Sequence, residues 1–113
     1  MGASSLFEKI WSSHVIKELG DDFALLHVDR HILHDLNAMK SLVELRERGY
    51  EVRNPQLTIA TPDHGLSSLP GRDINTNPAG TALLRGYLEE TRRAGIKAFD
   101  VNDDEQGIVH VIG

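Results

Sequence analysis

The sequence predicts an α/β fold, a mostly parallel sheet flanked by helices, on three observations. Short apolar runs of β type (Phe23–Val28, Leu57–Ala60 and Ile96–Val101) alternate with segments whose apolar residues recur at helical spacing. Gly20, Gly49 and Gly95 close the helical segments, as glycine does where a helix ends in the left-handed region. Apolar runs also pass directly into titratable residues, which in α/β proteins is where chemistry collects.

Taken in order, Ser5-Leu6-Phe7-Glu8 reads as a capping box, with Ser5 accepting from the third helical amide and Glu8 reaching back. Leu6, Phe7, Ile10, Trp11, His14, Val15 and Leu19 then keep one face apolar, so a first helix is expected from Ser5 to Gly20. Phe23–Val28 reads as a strand covered on both faces. The polar cluster Asp29-Arg30-His31-Ile32-Leu33-His34-Asp35 follows it. A second helix is expected over roughly Asn37–Arg48, with Met39, Leu42, Val43 and Leu45 inward. Leu57–Ala60 is the next strand, and it opens through Thr61-Pro62 onto Asp63-His64.

Residues 65–75, rich in Gly, Ser, Pro and Asn, read as an exposed functional loop or a mobile segment. Asn77 is expected to cap a third helix that Pro78 opens, with Leu83, Leu84, Tyr87 and Leu88 buried and a Glu89–Arg93 pair outside. Ile96–Val101 is the third strand and Asn102–Glu105 a turn. Periodicity leaves residues 106–112 open between strand and helix, with a short helix capped near Asp103 or Asp104 favoured.

At 113 residues the chain holds one domain, and it stops in mid-pattern at Gly113, which suggests a truncated N-terminal portion of a larger unit. The net charge of −5 is mixed along the chain without a basic face, which argues against nucleic-acid and anionic-membrane partners. Absence of cysteine excludes disulfides and thiolate-held metals or clusters within these residues. No apolar run has transmembrane length and no signal-peptide core is present, so a soluble cytoplasmic protein is expected. Met1-Gly2 invites an acylation reading, but Leu6 stands where that motif needs Ser or Thr.

Six histidines, at 14, 27, 31, 34, 64 and 110, are many for this length. His14 on the apolar stripe and His27 inside a strand are read as structural, hydrogen-bonded side chains. His31 and His34 have the spacing of two ligands on one helical turn and, with His64, could form a small zinc site, although the motif is weak and no metal ligand is assigned. Asp63-His64 draws its interest from position: a carboxylate that holds an imidazole raises its pKa and fixes its tautomer, which suits a general acid near neutral pH.

Four stretches in order, Leu6-Phe7-Glu8-Lys9-Ile10-Trp11, Val28 to Asp35, Leu57 to His64 and Glu105 to Gly113, resemble the N-terminal part of the aconitase superfamily, and its isopropylmalate dehydratase branch more closely than others. The resemblance implies part of a three-layer α/β/α domain. It also implies a hydro-lyase that moves a hydroxyl between neighbouring carbons by dehydration and rehydration, as when 2-isopropylmalate becomes 3-isopropylmalate in leucine biosynthesis. By the same resemblance Asp63 and His64 help protonate the departing hydroxyl, His110 is a second catalytic histidine oriented by a carboxylate further along the chain, and His34 binds a substrate carboxylate. It implies a [4Fe-4S] cluster in the parent enzyme, none bound here, and as partners the rest of the large subunit, a small subunit and a dicarboxylate substrate.

The departures are a missing Gly-Asp-Ser-His-Thr motif, missing cluster cysteines, and Gly65-Leu66-Ser67-Ser68 where Asn-Val-Pro-Thr is expected. Homoaconitase and other substituted-malate dehydratases are therefore rival assignments, and a non-catalytic binding module with this fold is another. Self-association through an exposed sheet edge or face is a further expectation.

Overall fold

Two strand-then-helix units build the core, the first with no residue between its strand and helix and the second with a long loop between them. The computed structural model describes residues 3–113; the Met1-Gly2 start considered for acylation lies outside them. Strand β3 (His31–His34) runs without a connecting residue into helix α2 (Asp35–Glu47). After a 3-10 turn at Pro55–Leu57 come β4 (Thr58–Thr61), helix α3 (Thr81–Arg93), β5 (Lys97–Ala98) and the short helix α4 (Val109–Ile112). The three strands form a parallel sheet in the order β3-β4-β5, with His34 opposite Thr61 and Ala60 opposite Ala98. The α/β class with a parallel sheet stands.

Side chains alternate across these strands. Leu33, Ala60 and Ala98 face α2 and α3, which supply Ala38, Leu42 and Tyr87 to the core; Ile96 completes it. Tyr87 is fully buried and donates its hydroxyl to the Phe99 carbonyl at 3.1 Å, so its polar tip is satisfied within the apolar layer. The alternation turns His34 and Thr61 to the opposite face, where Thr61 Oγ1 donates to the Gly107 carbonyl just ahead of α4.

The N-terminal third departs from expectation. The capping box forms, with the Ser5 hydroxyl accepting from the Glu8 amide at 3.2 Å and the Ser5 amide donating to Glu8 at 2.6 Å. Helix α1, however, ends at His14, and Val15–Gly20 is a strand, β1, that pairs antiparallel with β2 (Phe23–Leu26). β-Branched Val15 and Ile16 favour the strand. Asp21 and Asp22 take φ of 50° and 62°, the left-handed pair that a two-residue hairpin turn needs. Gly20, at φ +87°, serves that hairpin rather than a helix stop. The β2 run is not covered on both faces: Phe23 is 69% exposed.

Other expectations need smaller corrections. The polar cluster at 29–35 contains a core strand, β3, which begins and ends with its histidines. Helix α3 opens at Thr81, because Asn77 donates its side-chain amide to the Gly65 carbonyl at 3.0 Å and so ties down the site loop instead of capping. Strand β5 is two residues long. Residues 106–112 do end in a helix, but its N-cap is Ile108, not Asp103 or Asp104. Among the described residues no helix is long and apolar enough to cross a membrane.

Candidate active site

The carboxyl ends of β3 and β4 meet at one point, and a buried carboxylate gathers them there. Asp35, at the first position of α2, is fully buried. Its Oδ1 accepts the amides of Asp63 (3.1 Å) and His64 (3.1 Å), and its Oδ2 accepts that of Gly65 at 2.5 Å. Burial opposes ionisation of Asp35, but these amide donors outweigh it and hold its carboxyl below the usual carboxylate range. The N-terminus of α2 favours the same negative charge. Three successive amides aimed at one carboxylate fix the turn that follows β4, and with it the direction of the Asp63 and His64 side chains.

Within that turn the His64 Nδ1 abuts Asp63 Oδ1 and lies 3.4 Å from Asp35 Oδ1. The Asp63 side chain is only 6% exposed whereas that of His64 is 44% exposed, so the carboxylate backs an imidazole that looks outward. His34, from the last position of β3, places its ring 4.8 Å from the His64 ring, tilted by 44°. Its Nδ1 is buried with no hydrogen-bond partner among the described residues. Asp63 Oδ2 accepts from the Val109 amide at 3.5 Å, which brings the start of α4 to the pair. His110 is the next residue and is exposed. Beside Asp63 opens a cleft of about 240 Å³ lined by Leu66, Ser67, Arg72, Gln106 and Ile108 among others.

The expected candidates fare differently. His34, Asp63 and His64 converge directly, whereas from α4 it is the Val109 amide that reaches Asp63, with exposed His110 the next residue along. The zinc reading from His31 and His34 loses its premise. Both lie in a strand, so three residues put them about 10 Å apart on opposite faces. Nitrogen and oxygen donors of His34, Asp35, Asp63 and His64 do lie within 4.8 Å of one another, yet both oxygens of Asp35 are already committed to amides. His27, expected inside a strand, is exposed one residue past β2, where its backbone amide donates to the His14 carbonyl. His14 makes its hydrogen bonds locally, to the Ile10 carbonyl (2.7 Å) and to Asp29 (3.1 Å). Nor is the 65–75 loop loose, since Arg72 and Asn77 anchor it.

Asp35 is the residue of this candidate site that sequence reasoning missed. Its signal was a carboxylate opening a helix directly after an apolar strand, a place where it can serve as acceptor for a neighbouring loop.

A comparison with family models matches residues 8–113 to the aconitase family (aconitate hydratase). The chain belongs to the aconitase family. A curated relative, 3-isopropylmalate dehydratase large subunit 1 of Bradyrhizobium diazoefficiens, is 50% identical over 109 residues, which cover 96% of this chain. The chain spans 23% of that relative's length. No solved structure matches the chain. In this aconitase-family chain three of the four stretches that carried the resemblance converge, the end of β3, the turn after β4 and the approach to α4, whereas Leu6 to Trp11 lies apart on α1.

Proposed function

We propose that this chain is the N-terminal α/β portion of a hydro-lyase large subunit and forms one wall of its substrate pocket. The reaction assigned is interconversion of 2-isopropylmalate and 3-isopropylmalate through an enoic acid. The single observation that carries the assignment is the Asp35-clamped turn, which presents a carboxylate-backed, outward-facing imidazole beside a second histidine with an unpartnered buried nitrogen. The 50% identity to a large subunit of that name supports the choice of substrate.

In this reading His64 delivers a proton to the hydroxyl that leaves, while Asp63 backs the imidazole and fixes its direction. His34 Nδ1 needs a partner, since buried polar atoms are rarely left without one, and a substrate carboxylate supplies it. His110 completes the wall from the α4 side. Iron–sulfur clusters are held by thiolates, and these residues hold no cysteine, so they do not fit the [4Fe-4S] cluster that the family implies. The part assigned to this chain is proton transfer and substrate binding. The rest of the large subunit and a small subunit are its partners in the proposal.

Two measurements test it. In the full-length protein with its small subunit, Asp63→Asn and His64→Ala should each lower kcat by roughly 10² to 10⁴-fold while the circular dichroism spectrum is retained. Wild-type turnover in both would remove the pair from the chemistry. Residues 1–113 alone, supplied with iron, sulfide and isopropylmalate, should show no hydration; measurable turnover defeats the assignment of a partial site. Comparing kcat/KM for isopropylmalate and homoaconitate decides between the two branches of the family.

A further inference from the structure

Three consecutive residues at the end of β4 are each tied to the stretch that leads into α4. Thr61 Oγ1 donates to the Gly107 carbonyl, Gln106 Nε2 donates to the Pro62 carbonyl at 2.7 Å, and the Val109 amide donates to Asp63 Oδ2 at 3.5 Å. Gln106 is in turn held by Arg72, whose Nη2 donates to Gln106 Oε1 at 2.7 Å. The same guanidinium donates from Nη1 to the Ser67 carbonyl (2.9 Å) and from Nε to the Val101 carbonyl (3.3 Å). One side chain thus joins the site loop, the turn after β5 and the approach to α4.

All three acceptors of Arg72 are uncharged, so the guanidinium acts here through geometry: a planar fork of donors in fixed directions, which lysine cannot reproduce. Gln106 uses both ends of its amide, accepting from Arg72 and donating to Pro62. Release of Gln106 leaves the 106–109 stretch tied to the end of β4 only through the Thr61–Gly107 and Val109–Asp63 bonds, and release of Arg72 leaves Gln106 without its orienting donor. The 3.5 Å bond from the Val109 amide to Asp63 is the longest of these ties, and His110 is one residue on from it.

We propose that Arg72 and Gln106 are positioning residues, a clamp that sets His110 and the Asp63–His64 pair in mutual register for the reaction proposed above, on which this inference rests. The test uses the full-length protein with its small subunit and the variants Arg72→Ala, Gln106→Leu and their combination. Gln106→Leu leaves the two backbone bonds of Arg72 in place, so it reads the clamp even where Arg72→Ala folds poorly.

Each single variant should lower kcat by about 10- to 100-fold, as expected for misplaced catalytic groups, with KM within about twofold of wild type. The double variant should be no worse than the worse single, because both remove one device. Guanidinium ion at a non-denaturing concentration should restore part of the activity of Arg72→Ala and none of that of Gln106→Leu. Losses that multiply in the double variant overturn the clamp. So does a raised KM with kcat preserved in Arg72→Ala, which would make the guanidinium a direct substrate ligand. Asp63→Asn separates the two levels of inference: wild-type turnover there removes the functional reading itself, whereas an inactive Asp63→Asn beside fully active Arg72→Ala and Gln106→Leu removes only the clamp.

Discussion

Asp35 decides how the site is held, and it does so across a separation that no local pattern records. Its partners lie 28 to 30 residues away, whereas the Asp63–His64 pair is adjacent in sequence and was legible from a strand that runs into a proline. Asp35→Ala leaves three amides of a buried turn without their acceptor, and unsatisfied buried donors are costly. A loss of about 3 kcal/mol of stability is expected, measured as a lower urea midpoint. The pH dependence has a definite sign. The folded-state pKa of Asp35 is below its ordinary value, so the ionised carboxylate contributes stability that is present in full above the unfolded value, near pH 4, and is lost as pH falls through the folded value. The urea midpoint of the wild-type protein should therefore fall steeply below about pH 4, and Asp35→Asn should flatten that fall. An equally steep fall in Asp35→Asn would assign acid sensitivity elsewhere.

At the scale of elements, the core was readable and the periphery was not, for a physical reason. Helices α2 and α3 and strand β4 each carry residues that the core buries, so their periodicity reports real packing. Helix α1 buries no residue, and its apolar spacing continued past His14 into what is strand β1, where a local turn made by Asp21 and Asp22 decides the structure. The start of α3 was misplaced because the neighbour of Gly80 is remote in sequence. A Cβ at Gly80 would overlap the backbone of Gly65, the last residue of the clamped turn, whereas a Cβ at Gly86 would meet only the flexible side chain of Met39. Gly80→Ala should thus cost roughly 1–3 kcal/mol and lower turnover of the full-length protein, while Gly86→Ala should cost less because Met39 can swing aside. Equal thermal shifts in the two variants would refute the distinction. At the join of α1 and β1, hydrogen bonds to the Ile10 carbonyl and to Asp29 raise the pKa of His14. The charged form is favoured, so this contact contributes most below the ordinary histidine value and is lost as pH rises through the folded one. An NMR titration should show the His14 pKa falling in Asp29→Asn.

For the whole molecule, the balance of core and surface is unusual. The radius of gyration is 17.4 Å, against about 13 Å for a compact domain of this length. The excess length comes with an apolar arm: Leu6, Phe7 and Ile10 on α1, Ile16 and Leu19 on β1, and Phe23 and Leu25 on β2 are all half or more exposed. The two strands of the arm pair only with each other, so both outer edges of the hairpin also carry free backbone groups among the described residues. Scattered exposed apolar residues are ordinary, but seven of them within residues 6–25 leave apolar surface of the kind that assembled proteins cover. In the proposed parent the remaining large subunit supplies that cover. The 113-residue chain alone has only its own copies for the purpose. Light scattering behind a size-exclusion column should give a mass above that of the 12.5 kDa monomer, rising with concentration. The triple variant Phe7→Ser, Ile16→Ser, Phe23→Ser should shift the mass back towards the monomer. It should change the urea midpoint of the β3-β4-β5 core little, since exposed positions usually contribute within about 0.5 kcal/mol each. A wild-type chain that stays monomeric at high concentration would show that the arm folds back over its own apolar face in solution. A triple variant that loses its core transition would show that the arm belongs to the folding unit and not merely to its surface.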